Sequence, residues 1–305
     1  MPRPPTRPAA LTGKVFRGSD ALASGRLTRG RLRSSAWRRV FPDVYACSSL
    51  TVDHRLRARA AARLLVPAAV VSGRSAAALW GVDLAGAYDD VECTVDATCR
   101  GGAVQGVRLT RRALPAQDVT SRDGVRVTTP LRTALDLARI EPPEEAVVCV
   151  DRFLQQSRRV TLEEARAAAE TLTGPGCRRV RAAVARADGL AESPQETRTR
   201  LLLHAAPLPR PTAQYVVRDA ESRFVARVDF AWPEAKLALE YEGIWHGAPQ
   251  NVGRDRRRLN ALTAAGWTVL FVTAADLADP VALIARVAAA LQASGYARRR
   301  SPTAP

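Results

Sequence analysis

Lysine is nearly missing from this 305-residue chain: of 46 basic residues, all but Lys14 and Lys236 are arginine. Acidic residues are outnumbered, 30 against 46, which leaves a formal charge of +16 and a pI near 11.0. That imbalance predicts attraction to polyanions, nucleic acid first among them, although charge does not separate DNA from RNA. Cysteine is sparse and scattered: Cys47, Cys93, Cys99, Cys149 and Cys177 form no C-x-x-C pair, and their number is odd. This excludes zinc-site spacing and argues against a disulfide framework, so free thiols in a reducing cytosol are expected. The opening "MPRPPTRPAALTGKVF" lacks the apolar stretch of a secretory signal. No run approaches the roughly 18 apolar residues of a membrane span. The expectation is a soluble, cytoplasmic protein with no membrane partner. Apolar residues are plentiful, at 47%, so the chain can bury the cores of two or three domains.

The pattern along the chain divides it into five parts. Residues 1–12 are rich in Pro and Arg and are expected to be disordered, as is the basic tail 294–305. Within 13–48, "SDALASG" predicts a short helix with Ser19 as N-cap and Gly25 as its stop. "LTRGRLRSSA" predicts a second helix capped by Thr28, and "WRRVFPDVYA" two strands around a Pro-Asp turn. Helix, turn, helix and hairpin together predict a winged helix-turn-helix. Arg29, Arg31 and Arg33 then fall in or beside the recognition helix, and Arg38 and Arg39 on the wing, as DNA contacts; a merely solvated arginine surface is the alternative. Residues 49–188 predict a mixed α/β middle region, with helices near 53–66 and 74–80 and strands at "VECTV", "VRLTRR" and "VRVTT". Pro130 opens the helix "PLRTALDLARI", and three more helices fill 142–188. "ADGLAESP" reads as a domain boundary. From 190 to 293 the order is α-β-β-β-α-β with a closing helix and a βαβ crossover. The fold class is therefore α+β or α/β.

The stretch "RVDFAWPEAKLALEYEGIWH", residues 227–246, places carboxylates in strands. In "KLALEYE" Glu240 and Glu242 share one face, because side chains alternate. If the strand holding Asp229 pairs antiparallel through the tight "PEA" turn, Asp229 can join Glu240. Two such carboxylates repel unless a proton or cation intervenes, and hard oxygen ligands suit Mg²⁺ or Mn²⁺. A cation held there could act on phosphate esters. An alternative for Asp229 is a pair with Arg227. Glu196 also completes a capping box with Ser193, so it reads as either a cap or a metal ligand.

These residues carry a resemblance. "SPQETRTRLLL", "VDF", "LALEYEGIWH" and "RDRRRLNALTAAGWTVLFV" together resemble the DUF559 nuclease-like domains. Those are related to the very-short-patch repair (Vsr) endonucleases of the PD-(D/E)XK superfamily, with a restriction-endonuclease-like core. The resemblance implies metal-dependent phosphodiester hydrolysis, with Glu196, Asp229 and Glu240 as metal ligands and Asp229, Glu240, Glu242 and His246 as catalytic candidates. Arg254, Arg257 and Arg258 would steady the phosphate, Arg258 within a D-x-x-R that starts at Asp255. Glu242 stands where the superfamily often has lysine, a departure that bears on activity. Residues 15 to about 140, with "VSGRSAAALWGVDL" and "TTPLRTALDLAR", resemble AbiEi-type antitoxins and transcriptional regulators, which implies DNA binding and a toxin partner. Two functions follow: a Mg²⁺-dependent DNA endonuclease carrying a winged helix, or a non-catalytic DNA-binding regulator that keeps a nuclease-like fold.

Overall fold

The computed structural model describes residues 7–243 and 249–296, leaving aside the side chains of 249–252. The chain folds as two compact units, one of residues 1–140 and 156–184 and a second of 141–155 and 185–305. The boundary expected at "ADGLAESP" lies close to the second crossing. The first crossing was not expected: most of one middle-region helix belongs with the C-terminal unit.

The first unit opens with β1 (Val15–Arg17), α1 (Gly18–Ala23), α2 (Arg29–Leu32), β2 (Trp37–Phe41) and β3 (Val44–Cys47). The strands form an antiparallel sheet in the order β1-β3-β2. Thr28 caps α2 as expected, accepting from the Arg31 N–H at 3.3 Å, but the helix lasts a single turn. Ser19 does not cap α1. It lies inside the helix and donates to Asp43 in the β2–β3 turn, through N–H at 2.8 Å and Oγ at 2.6 Å. Asp43 holds φ +59°, the left-handed bend that the two-residue turn requires. Residues 8–13 form hydrogen-bonded turns rather than a disordered lead, because Leu11 is buried with Phe16, Leu27 and Trp37.

The same unit continues with α3 (His54–Ala60), a five-residue π-helical turn (Ala61–Leu65), β4 (Val70–Val71), α4 (Gly73–Leu79), β5 (Val91–Val95) and β6 (Val107–Arg111). After a 3-10 turn come β7 (Val119–Arg122), β8 (Val125–Thr128) and α5 (Pro130–Leu137). The five strands run in the order β6-β5-β4-β8-β7. Thr129 caps α5 and Pro130 opens it, since proline's missing N–H costs nothing in a first turn. Next come α6 (Pro143–Ser157), α7 (Leu162–Thr171) and α8 (Cys177–Arg186).

The C-terminal unit holds most of α6, then α9 (Pro194–Ala205), β9 (Thr212–Arg218), β10 (Phe224–Trp232), β11 (Leu237–Tyr241), α10 (Pro249–Ala264), β12 (Thr268–Val272), α11 (Ala274–Ala278) and α12 (Pro280–Ala293). The sheet order is β12-β11-β10-β9. Its first three strands in sequence pair antiparallel, while β11 and β12 pair parallel across α10. The tight turn between β10 and β11 is a 3-10 turn at Pro233–Ala235, closed by Lys236 at φ +48°. One core contains Leu203, Phe230, Trp232, Leu237 and Leu239, and the other Val228, Ala231, Ala238, Leu262 and Trp267. Tyr296 is buried in the first, so the order extends past the expected start of a disordered tail at 294.

A buried ion pair ties α6 to α9. Asp151 is 0% exposed, and it accepts from Arg200 Nη2 at 2.6 Å, Thr197 Oγ1 at 3.0 Å and the N–H groups of Asp188 and Gly189, each at 2.9 Å. A buried carboxylate is tolerable only when so fully bonded.

Candidate functional site

Two regions carry the expected functional side chains, and they handle charge in opposite ways. From Gly13 to Ser48 the chain has eight basic residues and two acidic ones, Asp20 and Asp43. Asp43 is engaged by Ser19 and lies 3.9 Å from Arg17. Arg29, Arg31, Arg33, Arg38 and Arg39 are all exposed, and none forms an ion pair among the described residues. α2 and its C-cap carry three of them. The other two lie on β2 between the buried anchors Trp37 and Phe41, which fix that strand from both ends. The module thus presents five exposed guanidinium groups that have no carboxylate partner among the described residues.

Of the expected site acids in the C-terminal unit, Glu196 and Glu240 are buried and Asp229 is half-buried, and all three are hydrogen-bonded. The β10–β11 register pairs Phe230 with Leu239 and Ala231 with Ala238, which sets Asp229 opposite Glu240 one step further on. Antiparallel neighbours joined by the "PEA" turn are therefore present. Glu240 is 7% exposed and receives both guanidinium arms of Arg258, at 2.5 and 2.6 Å. Arg258 stands on α10 one turn before Leu262, which packs beside Ala238, and the paired carboxylate pushes its pKa up. Asp255 lies 3.2 Å from the same group.

Asp229 accepts from the Tyr241 N–H at 2.9 Å. Burial raises its pKa to about 7; the Tyr241 N–H opposes that shift, and the charges of Glu196, Glu240 and Glu192 add to it. Glu196 is 7% exposed and makes the cap contact that was one of the two readings of it. Its N–H donates to Ser193 Oγ at 3.2 Å, the N-cap bond, while its carboxylate accepts from the Glu192 N–H at 2.8 Å and Gln214 Nε2 at 3.0 Å. Glu196, Gln214 and Asp229 line one cleft. Arg227 pairs with Glu192 at 2.6 Å and not with Asp229.

Sequence reasoning passed over Gln214. It holds φ +50° and stands opposite Asp229, between the pairs Tyr215↔Val228 and Ala213↔Phe230; the register shift of β9–β10 lies elsewhere, between Phe224 and Ala226. A polar side chain in a strand, facing a strand acid, was the available signal.

The remaining expected site residues are dispersed. Glu242 is exposed just past β11, with its N–H on the Val272 carbonyl at 2.7 Å. Arg254 and Arg257 are exposed on α10, and Arg257 Nε reaches the Gly253 carbonyl at 3.2 Å. His246 lies outside the described residues. Among the described residues no three His, Cys, Asp or Glu side chains gather as a metal site. The donor set explains this: Glu240 is occupied by a guanidinium, and Asp229 and Glu196 accept from backbone and amide donors. As folded, these carboxylates do not fit a divalent ion. Nor is any helix among the described residues long and apolar enough to cross a membrane.

Two proteins of Mycobacterium tuberculosis are each 36% identical to this chain over 167 residues: "Uncharacterized protein Rv2248" (strain ATCC 25618 / H37Rv) and "Uncharacterized protein MT2308" (strain CDC 1551 / Oshkosh). The alignment takes in 54% of this chain and 61% of either relative, so the chain spans about three fifths of the length of the curated relatives it matches. The "Crystal structure of RV2827C protein from Mycobacterium tuberculosis" is 14% identical, with a TM-score of 0.37 over 68% of this chain and 84% of that one. Residues 68–191, from β4 through α8 and just beyond, match the family described as AbiEi antitoxin C-terminal domain, a span that begins and ends later than the resemblance drawn from sequence motifs.

Proposed function

We propose that the chain is a DNA-binding regulator of the antitoxin type, with residues 13–48 acting as a winged helix-turn-helix. The observation that carries this reading is the set of five exposed arginines on α2, its C-cap and β2, none of which forms an ion pair among the described residues. Unpaired guanidinium groups gain by displacing counterions from a phosphate backbone, and their sum gives a steep salt dependence. The match of residues 68–191 to an antitoxin domain supports the regulatory role and, with it, a toxin partner for the middle of the chain. The test is fluorescence anisotropy with duplex DNA at several salt concentrations, comparing wild type with a variant in which all five arginines become glutamine. Wild type should bind with a steep log–log salt slope, and the variant should lose about 4.5 units of that slope, at about 0.9 per phosphate contact for five contacts. Equal slopes would overturn the reading.

A second reading, a Mg²⁺- or Mn²⁺-dependent endonuclease, draws on one observation: Asp229, Glu196 and Glu240 are near enough for their charges to act on one another. It requires Glu240 to leave Arg258. Supercoiled plasmid incubated with Mg²⁺ or Mn²⁺ tests it. Nicking that disappears in Asp229→Ala and Glu240→Ala favours this reading, and identical behaviour of all three proteins removes it.

A further inference from the structure

One cavity in the first unit plays no part in either reading. It has a volume of about 420 Å³ and lies where the approach to β1, α3 and the π-helical turn meet. That volume falls in the range of small-molecule sites. Val15, Leu50, Leu56 and Leu64 supply apolar walls, while every charged residue lining it is a cation: Lys14, Arg59 and Arg63. Arg63 Nη2 donates to the Asp123 carbonyl. The Asp123 carboxylate is itself taken by Arg55, at 2.7 Å from Nη2. Lys14 and Arg59 form no ion pair among the described residues, and Arg59 Nε is buried without an acceptor. Buried donors are normally satisfied, so an orphan beside a cavity is informative.

The wall itself is unusual. Leu56, Arg59, Ala60 and Arg63 follow one another along one face, and the last of them falls in the π-helical segment Ala61–Leu65. The Leu64 carbonyl, in the last turn of this segment and so without an intrahelical partner, accepts from Arg17 Nε at 3.0 Å. π-helical turns are rare and often accompany binding sites. Lys14 immediately precedes β1, so the cavity adjoins the arginine-bearing module.

We propose that this cavity binds a small organic anion with an apolar body, such as a medium-chain carboxylate or an aryl sulfonate. The hydrocarbon part would lie against the leucine and valine walls, and the anionic head would meet Lys14 and Arg59. A bare inorganic oxyanion would leave the apolar walls unused. The proposal does not depend on DNA binding, and its test contains no DNA.

The probe is anilinonaphthalene sulfonate, titrated by fluorescence into the full chain, with sodium octanoate and sodium phosphate as competitors. Binding at one site, displaced by octanoate and not by phosphate at matched ionic strength, is the expected result. Lys14→Gln/Arg59→Gln should weaken probe binding at least about tenfold, as expected for loss of charge-assisted hydrogen bonds. Leu50→Trp, which fills the cavity without touching a cation, should weaken it as well. Circular dichroism melts confirm that both variants fold. Absence of binding by the wild type, equal displacement by phosphate, or unchanged affinity in whichever variants fold would overturn the proposal.

Discussion

The arginines of the N-terminal module and the carboxylates of the C-terminal unit are both dense charge clusters, yet they are finished differently. Arg29, Arg31, Arg33, Arg38 and Arg39 are exposed and form no ion pair among the described residues. Glu240, Asp151 and Glu196 are buried and bonded to Arg258, to Arg200 and to Gln214 with the Glu192 N–H. Exposed charges cost little to leave open and can serve an outside partner, whereas buried charges must be completed within the fold. The first cluster therefore asks for a ligand, and the second is largely complete without one. Asp229 is the least complete: like Glu196 it has no cation partner among the described residues, and it accepts from only one backbone N–H, that of Tyr241. It stays neutral over most of the acid range instead.

The sharpest break in this comparison is Asp151→Ala. It removes the fully buried partner of Arg200, whose side chain is 5% exposed, and leaves it only Asp188 at 2.9 Å among carboxylates, while the N–H groups of Asp188 and Gly189 lose their acceptor. Removing one member of such a pair costs about 3–5 kcal/mol. Chemical denaturation followed by tryptophan fluorescence should show that loss, with DNA binding at low denaturant unchanged. A loss below about 1 kcal/mol would mean that the pair is dispensable.

Asp229 gives the next effect, and it depends on pH. The folded-state pKa of about 7 lies above the ordinary value of 3.8, so between these limits the folded chain holds a proton that the unfolded chain has released. The contribution is fully present below about pH 4 and is lost as pH rises through 7. At about 1.4 kcal/mol per unit, with the group's partial exposure discounted, the loss is on the order of 3 kcal/mol. Asp229→Asn should flatten that part of the stability–pH curve and leave the variant the more stable protein above pH 7. Parallel curves for the two proteins would place Asp229 at its ordinary pKa.

How much of this was legible in the sequence depends on the range of the interaction. Period and punctuation are local, so α9, β10, β11 and the turn at Pro233 fell where the apolar alternation and the proline put them. Parity likewise set Asp229 opposite Glu240. Partners set by tertiary contact were not legible. Asp151 meets Arg200 across 49 positions, and nothing in the α6 pattern marks that helix as part of the C-terminal unit. Arg258 appeared as a residue for phosphate, whereas its helix turns it onto Glu240. β4 is too short, at two residues, to show an alternation, and the left-handed backbone of Gln214 has no compositional cue because glutamine seldom adopts it.

Arg258→Gln should have a smaller effect. The Arg258 side chain is 31% exposed, so water partly replaces the lost partner of Glu240, and the cost is about 2 kcal/mol. Adding Glu240→Gln should recover most of that, since the double variant leaves no unpaired buried charge. A double-mutant cycle in chemical denaturation measures this, and additive losses would show that the two groups do not depend on each other. The single variant also tests the nuclease reading. With Arg258 gone, Glu240 is free to take a divalent ion, and added Mn²⁺ should raise the melting temperature of the variant more than that of wild type.

The smallest effect belongs to the open cluster, and it should leave stability untouched. Arg31 is exposed on α2 and forms no ion pair among the described residues. Arg31→Gln removes a charge and keeps most of the side-chain length, so the unfolding free energy should change by no more than about 0.5 kcal/mol. If Arg31 meets a DNA phosphate, the log–log salt slope of binding drops by about 0.9, uniformly across sequences. If it reads a base edge, affinity falls for one sequence by about 1–3 kcal/mol and the slope changes little. Anisotropy titrations on two unrelated duplexes at several salt concentrations distinguish the two outcomes. A drop in stability with no change in either binding measure would place Arg31 among the internally completed charges, and the contrast between the two clusters would fail at that residue.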